Sequence, residues 1–149
     1  MQIDTYNTPI GFIELSHNNN VLYRLNFVSK DNGSKSDFGN MVYKQLCEYF
    51  NGERKYFEIA YELIGTSFQK NVWNALLKIS YGQTRSYKDI AIDIASPKAF
   101  RAVGMANNKN PIPIIVPCHR VIGSDGGLVG YGGGLDIKIK LLQLEGVAI

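Results

Sequence analysis

Ser86-Tyr87-Lys88-Asp89-Ile90-Ala91-Ile92-Asp93-Ile94-Ala95-Ser96-Pro97-Lys98-Ala99-Phe100-Arg101-Ala102-Val103-Gly104-Met105-Ala106-Asn107 carries two helical patterns separated by a short break. Ser86 is placed to cap a helix, Asp89 falls in its first turn, and the pattern predicts that helix over Tyr87 to Ile94. Ser96-Pro97 then opens a second helix running to about Asn107, with Pro97 at the first position, where a missing N–H costs nothing. Two short helices with a tight link make a helix-turn-helix. On the second helix Ala99, Val103 and Ala106 share one face. Arg101 is two residues from both Ala99 and Val103, about 200° around the wheel, and points outward when they point inward. Ala102 and Gly104 are small, so this helix can approach a partner closely.

Upstream, Gly65-Thr66-Ser67 marks a break. Ser67 is a cap for a helix to about Ile79, with Phe68, Val72 and Leu76 on one face, widened by Trp73 and Leu77, and with Tyr81-Gly82 ending the segment. Downstream, the apolar run Ile112-Pro113-Ile114-Ile115-Val116 reads as a short buried strand leading into Pro117-Cys118-His119-Arg120-Val121-Ile122. A glycine-rich loop around Tyr131 follows, without the strand-GxxxxGK[ST]-helix order of a phosphate loop. Lys138 to Glu145 reads as a terminal helix packed through Leu141, Leu142 and Leu144.

The first part of the chain reads differently. Ile3 to Tyr6, Ile10 to Ser16 and Val21 to Val28 are strand-like, punctuated by Thr8-Pro9 and Asn18-Asn19-Asn20, an antiparallel meander. Phe38, Met41, Val42, Leu46, Tyr49 and Phe50 recur at helical spacing before Gly52. Cys47 belongs to that helix as a small buried residue, and His17, beside the Asn-rich turn, reads as a surface loop residue. The whole is an α+β chain in two lobes, residues 1–64 and 65–149.

With 149 residues, 45% hydrophobic and 19% charged, the composition is that of a globular chain. No apolar stretch approaches the roughly 20 residues that span a bilayer, and Met1 to Tyr6 has neither the basic start nor the apolar centre of a secretory leader. An intracellular protein without membrane association is expected. The two cysteines, Cys47 and Cys118, are expected reduced there. With His17 and His119 they are too dispersed for a zinc motif, and neither metal nor cofactor is expected. The net charge of +3 is uneven: residues 1–65 carry six Lys/Arg and eight Asp/Glu, residues 66–149 ten and five. A basic lobe that also holds the thiol suits a polyanionic partner such as DNA.

Cys118 is the candidate nucleophile, because its neighbours can stabilise a thiolate, the reactive form. In an extended segment consecutive side chains point to opposite faces, so His119 would need a water or a sharp turn to take the thiol proton. A carboxylate could then orient the imidazolium. Glu145 is the candidate for that third member, and a plain surface charge is the alternative.

Taken together, these motifs resemble the O6-alkylguanine-DNA alkyltransferases, the methylated-DNA–protein-cysteine methyltransferases. Pro117 to Ile122 is similar to that family's reactive signature. In the same order come Gly65 to Gln69 with Val72-Trp73, Ser86-Tyr87 with Ile90-Ala91, Arg101 to Gly104 with Ala106-Asn107 and Asn110-Pro111, and Gly130 to Gly133 with Lys138, Leu141-Leu142 and Glu145-Gly146. The resemblance implies a ribonuclease H-like N-terminal lobe of antiparallel sheet and helix, and a winged-helix-like C-terminal lobe. It implies that Cys118 accepts an alkyl group, that His119 acts as base through a water with Glu145 toward it, and that Tyr87 donates to the departing guanine. Arg101 would fill the gap left by a flipped nucleotide, with Ala102, Gly104, Ser86, Tyr87 and Arg120 as further DNA contacts. Asn110 would brace the turn before the thiol. Val121, Tyr131 and Gly132 would line the pocket, and the carbonyls of Cys118 and Val121 would read the base amino group. The implied partner is double-stranded DNA carrying O6-alkylguanine, engaged through the minor groove by a monomer in the cytoplasm, on the nucleoid or in a nucleus. Gly132 stands where some relatives carry serine, and Ala95 where a glycine is common. Three other readings compete: a lesion sensor, which would lack the cysteine; a helix-turn-helix regulator, which would need no Pro-Cys-His-Arg segment; and a Cys-His hydrolase, for which no oxyanion site is evident.

Overall fold

The computed structural model describes residues 1–128, Tyr131 and 133–149; Val129, Gly130 and Gly132 lie outside the described residues. The chain divides into two compact units, Met1–Ile64 and Gly65–Ile149.

In the first unit three strands, β1 (Gln2–Thr8), β2 (Gly11–Asn18) and β3 (Val21–Val28), form an antiparallel sheet in sequence order. Tyr6 pairs with Ile13, Ile13 with Phe27 and Leu15 with Leu25, which puts Ile13, Leu15 and Leu25 on the buried face. Asn19 and Asn20 both take positive φ, as a two-residue hairpin turn demands. Helix α1 (Asp37–Phe50) begins at Ser36, whose hydroxyl accepts from the Gly39 N–H, and buries Val42, Leu46 and Tyr49. Cys47 on this helix is only half-buried. His17 is not a surface residue: it lies in β2 and is buried, because a register shift between Ser16 and His17 breaks the in-out alternation and turns both inward.

The second unit is helical. Helix α2 (Ser67–Leu76) starts one residue earlier than expected: Thr66 is the cap, accepting from the Gln69 N–H while the Gln69 side chain returns to the Thr66 N–H. Val72, Trp73 and Leu76 are buried, whereas Leu77 is exposed and does not widen the face. The indole Nε1–H of Trp73 donates to the Ala106 carbonyl at 2.9 Å. A Cβ at Gly65 would stand 2.6 Å from this ring, so only glycine fits there. Helix α3 (Tyr87–Asp93) carries the expected Ser86 cap, reinforced by the Asp89 carboxylate on the Ser86 N–H. Helix α4 (Phe100–Asn108) starts three residues later than predicted. Ser96 to Ala99 is a turn, closed by Ala99 N–H to Ser96 O, and Ala95 before it sits at φ 60°. Helix α5 (Leu135–Leu144) ends the unit, and two-residue strands β4 (Arg85–Ser86) and β5 (Val121–Ile122) pair in parallel.

The run Ile112 to Val116 is buried as expected but is not a strand. It is a tight turn in which Val116 N–H reaches Ile112 O and Ile114 takes φ 74°, a left-handed conformation rare for a β-branched residue. Pro113 removes the N–H a ladder would use. Among the described residues no helix is long and apolar enough to cross a membrane, and no group of three or more His, Cys, Asp or Glu could hold a metal ion.

Candidate active site

Cys118 opens a single 3-10 turn, Cys118–Arg120, rather than ending a strand. Residues of such a turn are about 120° apart, so the Cys118 and His119 side chains diverge. Two carboxamides at the end of α4 pin the turn. Asn110 Nδ2 donates to Val116 O at 2.7 Å and its Oδ1 accepts from the Ile112 N–H, bracing the segment before the sulfur. Asn107 Nδ2 donates to the carbonyl of Cys118 itself at 3.2 Å.

His119 and Glu145 come together. Nε2 of the fully buried imidazole lies 2.6 Å from Glu145 Oε2, so the surface-charge alternative for Glu145 is removed. Glu145 also receives Arg120 through Nε at 2.8 Å and Nη2 at 3.0 Å, and the Gly82 N–H at 3.0 Å. Burial alone would raise this carboxyl, but the donors from His119 and Arg120 outweigh it and hold Glu145 well below the usual carboxylate range. Burial pushes His119 down, against the pull of Glu145, so the ring is neutral at pH 7. An ionised Glu145 requires the proton on Nε2, which leaves a lone pair on Nδ1. That buried nitrogen has no hydrogen-bond partner among the described residues.

Cys118 is 4% exposed. Burial drives its pKa up to about 11, against smaller downward pulls from Asn110, Tyr131 and the Lys138 charge. Neighbouring basic groups therefore do not make Cys118 a resting thiolate; at neutral pH it is a thiol. Its activation needs a base.

Arg120 was expected among the DNA contacts and is instead inside. Besides Glu145 it gives Nη1 to Ile79 O at 2.7 Å, which commits the guanidinium to holding the carboxylate. Tyr87 is half-buried, its phenol raised first by burial and further by Cys118 when that sulfur is ionised. A Cβ at Gly104 would meet its ring at 3.8 Å, so α4 passes beside it. Arg101 and Ala102 are exposed on α4, Gly104 is half-buried, and the Ser86 hydroxyl is occupied as a cap. Val121 and Tyr131 are buried near the thiol's segment, and Gly132 lies outside the described residues.

Lys138 has no role in the sequence reading beyond its place in a motif. It is fully buried, donates Nζ to Val121 O at 2.6 Å, stands 5.9 Å above the Tyr87 ring, and is lowered by burial to about 8, a shift that a Cys118 thiolate would oppose. The available signal was its spacing, since Lys138, Leu141, Leu142 and Glu145 fall on one helical stripe. Asn107 was likewise legible only as part of a motif.

Two family models match, 6-O-methylguanine DNA methyltransferase, ribonuclease-like domain, over residues 1–63, and 6-O-methylguanine DNA methyltransferase, DNA binding domain, over residues 67–147. A methylated-DNA–protein-cysteine methyltransferase of Methanosarcina barkeri is 48% identical, covering 97% of each chain. One of Mycobacterium leprae is 49% identical over 93% of this chain and 88% of its own. The crystal structure of Mycobacterium tuberculosis OGT in complex with DNA superposes with a TM-score of 0.90 at 46% identity, covering 97% of this chain and 92% of the other. With the family models spanning nearly every residue and the fold matching throughout, this chain belongs to the 6-O-methylguanine DNA methyltransferase family.

Proposed function

We propose that this protein repairs DNA as a methylated-DNA–protein-cysteine methyltransferase, moving the alkyl group of O6-alkylguanine onto Cys118. The observation that carries the reading is the ordered set at the 3-10 turn: a buried thiol, and on the next residue a neutral imidazole with Nε2 tied to an ionised Glu145 and with no partner for Nδ1 among the described residues. A thiol with a pKa of about 11 needs such a base to react at neutral pH.

The O6 of guanine is out of reach in a duplex, so the lesion must be flipped out, at a cost of a few kcal/mol. Arg101, exposed on the outer face of α4, is the wedge that fills the vacated stack, and the small Ala102 and Gly104 let that helix enter the minor groove. His119 Nδ1 takes the thiol proton through a water as the sulfur attacks. The S–C bond forms while the C–O6 bond breaks, and guanine departs with the bonding pair. The Tyr87 hydroxyl donates to it, so the proton lost by sulfur is balanced by one gained at the base. The product thioether has no electrophilic carbonyl for water to attack, so each molecule acts once, as a monomer. The N-terminal lobe is residues 1–64, and residues 65–149 carry the DNA contacts and the acceptor.

The test is intact-mass measurement after incubation with a duplex bearing one O6-methylguanine. The expected result is one added methyl mapped to Cys118. Unchanged mass with retained lesion binding would replace this reading with that of a sensor. Cys118→Ala should abolish transfer and keep DNA binding. Arg101→Ala should slow repair in duplex far more than reaction with the free alkylated base; equal slowing would remove its role as wedge.

A further inference from the structure

We infer that Asn107 sets how strongly this protein depends on the exocyclic amino group of the damaged purine. The inference rests on the proposed function, in which that amino group meets the carbonyls of Cys118 and Val121. In the free protein both oxygens are already engaged. Cys118 O accepts the Val121 N–H at the end of the 3-10 turn and also Asn107 Nδ2 at 3.2 Å. Val121 O accepts Lys138 Nζ at 2.6 Å. A carbonyl oxygen offers two lone pairs, so Cys118 O has none to spare.

Asn107 is 1% exposed on the inner face of α4, and its Oδ1 has no partner among the described residues. The opposite orientation of the amide would set Oδ1 against Cys118 O, two acceptors face to face, so the donor is Nδ2. A purine amino group arriving at Cys118 O therefore shares an oxygen that is satisfied without it. A base that lacks the group leaves no acceptor stranded, and stranding an acceptor is the main source of discrimination at a polar site. Removing the Asn107 donor frees one lone pair. The amino group then becomes the partner that fills it, and its absence is felt. Asn107 thus acts through the Cys118 peptide as a positioning residue that relaxes base selection.

The experiment measures single-turnover transfer by the full chain from two duplexes, one with O6-methylguanine and one with O6-methylhypoxanthine, which differ only in the amino group. The wild-type rate ratio is expected to stay within about threefold, less than one full neutral hydrogen bond would give. Asn107→Leu and Asn107→Ala should each raise the ratio by about three- to tenfold, the worth of one such bond. The ratio is unaffected by a general loss of active protein, which slows both substrates alike. A wild-type preference above about thirtyfold overturns the inference with no variant needed, and so does an unchanged ratio in both variants. If the wild type transfers from neither duplex, the proposed function fails first, and that outcome is distinct from transfer with the wrong ratio.

Discussion

Two buried histidines in this protein each hold a carboxylate, one in each unit. His17 Nε2 is 2.7 Å from Asp4 Oδ2, and His119 Nε2 is 2.6 Å from Glu145 Oε2. Around Asp4 everything closes on itself. Gln2, Ser34 and Ser36 also donate to it, and the Ser36 hydroxyl lies 3.1 Å from His17 Nε2 while accepting the Gly39 N–H that starts α1. A serine, a histidine and an aspartate are in contact, yet the hydroxyl is a helix cap and the histidine meets serine and aspartate through one nitrogen. Around Glu145 the donors come from Arg120, Gly82 and His119, and the far nitrogen of His119 is left with its lone pair next to a cysteine in the chain. A histidine–carboxylate pair is therefore common ground between packing and chemistry, and the ring nitrogen turned away from the carboxylate separates them.

Glu145→Gln tests that contrast most severely. It leaves Arg120 buried without a counter-charge, which should cost about 3–5 kcal/mol of stability, and it removes the orientation of His119. Chemical denaturation should show the loss, and methyl transfer should fall in whatever protein remains folded. Unimpaired transfer would mean that the pair in the C-terminal unit is as structural as the one around Asp4.

Asp4→Asn should act on stability alone. Burial raises the Asp4 carboxyl, but hydrogen bonds from Gln2, Ser36, His17 and Ser34 more than reverse this, taking it from 3.8 to about 2. A depressed folded-state value stabilises the protein fully above the unfolded pKa, so about 2 kcal/mol is present above pH 4 and is lost as pH falls through 2. The variant should be weaker by about that amount at pH 7 and should lose the acid dependence in that window. Its transfer rate at neutral pH should match the wild type; a large fall would give the first cluster a part in the reaction.

The smallest effect is expected from Ala95→Gly. Ala95 is exposed at φ 60°, where a Cβ costs about 1 kcal/mol. Glycine there should raise the melting temperature slightly and leave transfer unchanged. If transfer rose with stability, the effect of Glu145→Gln could no longer be assigned to His119.

The candidate site was legible where its meaning lies in covalent neighbours. Pro117 to Ile122 announces a cysteine beside a histidine, and Arg101 two residues from both Ala99 and Val103 must face out. It was illegible where two parts of the chain meet. Arg120 reads equally well as a surface cation or a buried one, and only Glu145, Ile79 and the turn at Gly82 decide between them. The run Ile112 to Val116 carries burial in its apolar residues, but apolar runs do not distinguish a strand from a buried turn. The burial of His17 is not legible in the sequence because a bulge cancels the period-two pattern at that point.

By itself the sequence determined the α+β class, the meander and the Ser86 cap, and it singled out Cys118 as the candidate nucleophile. Those follow from side-chain periodicity, local hydrogen bonding and residue chemistry, which act over a few residues. The tertiary structure alone decided that the thiol is protonated, that His119 presents Nδ1, and that Asn107 and Lys138 occupy the carbonyls beside it. Burial and the partners of a buried polar group belong to the packed chain, because desolvation is set by everything that surrounds an atom and not by its neighbours in sequence.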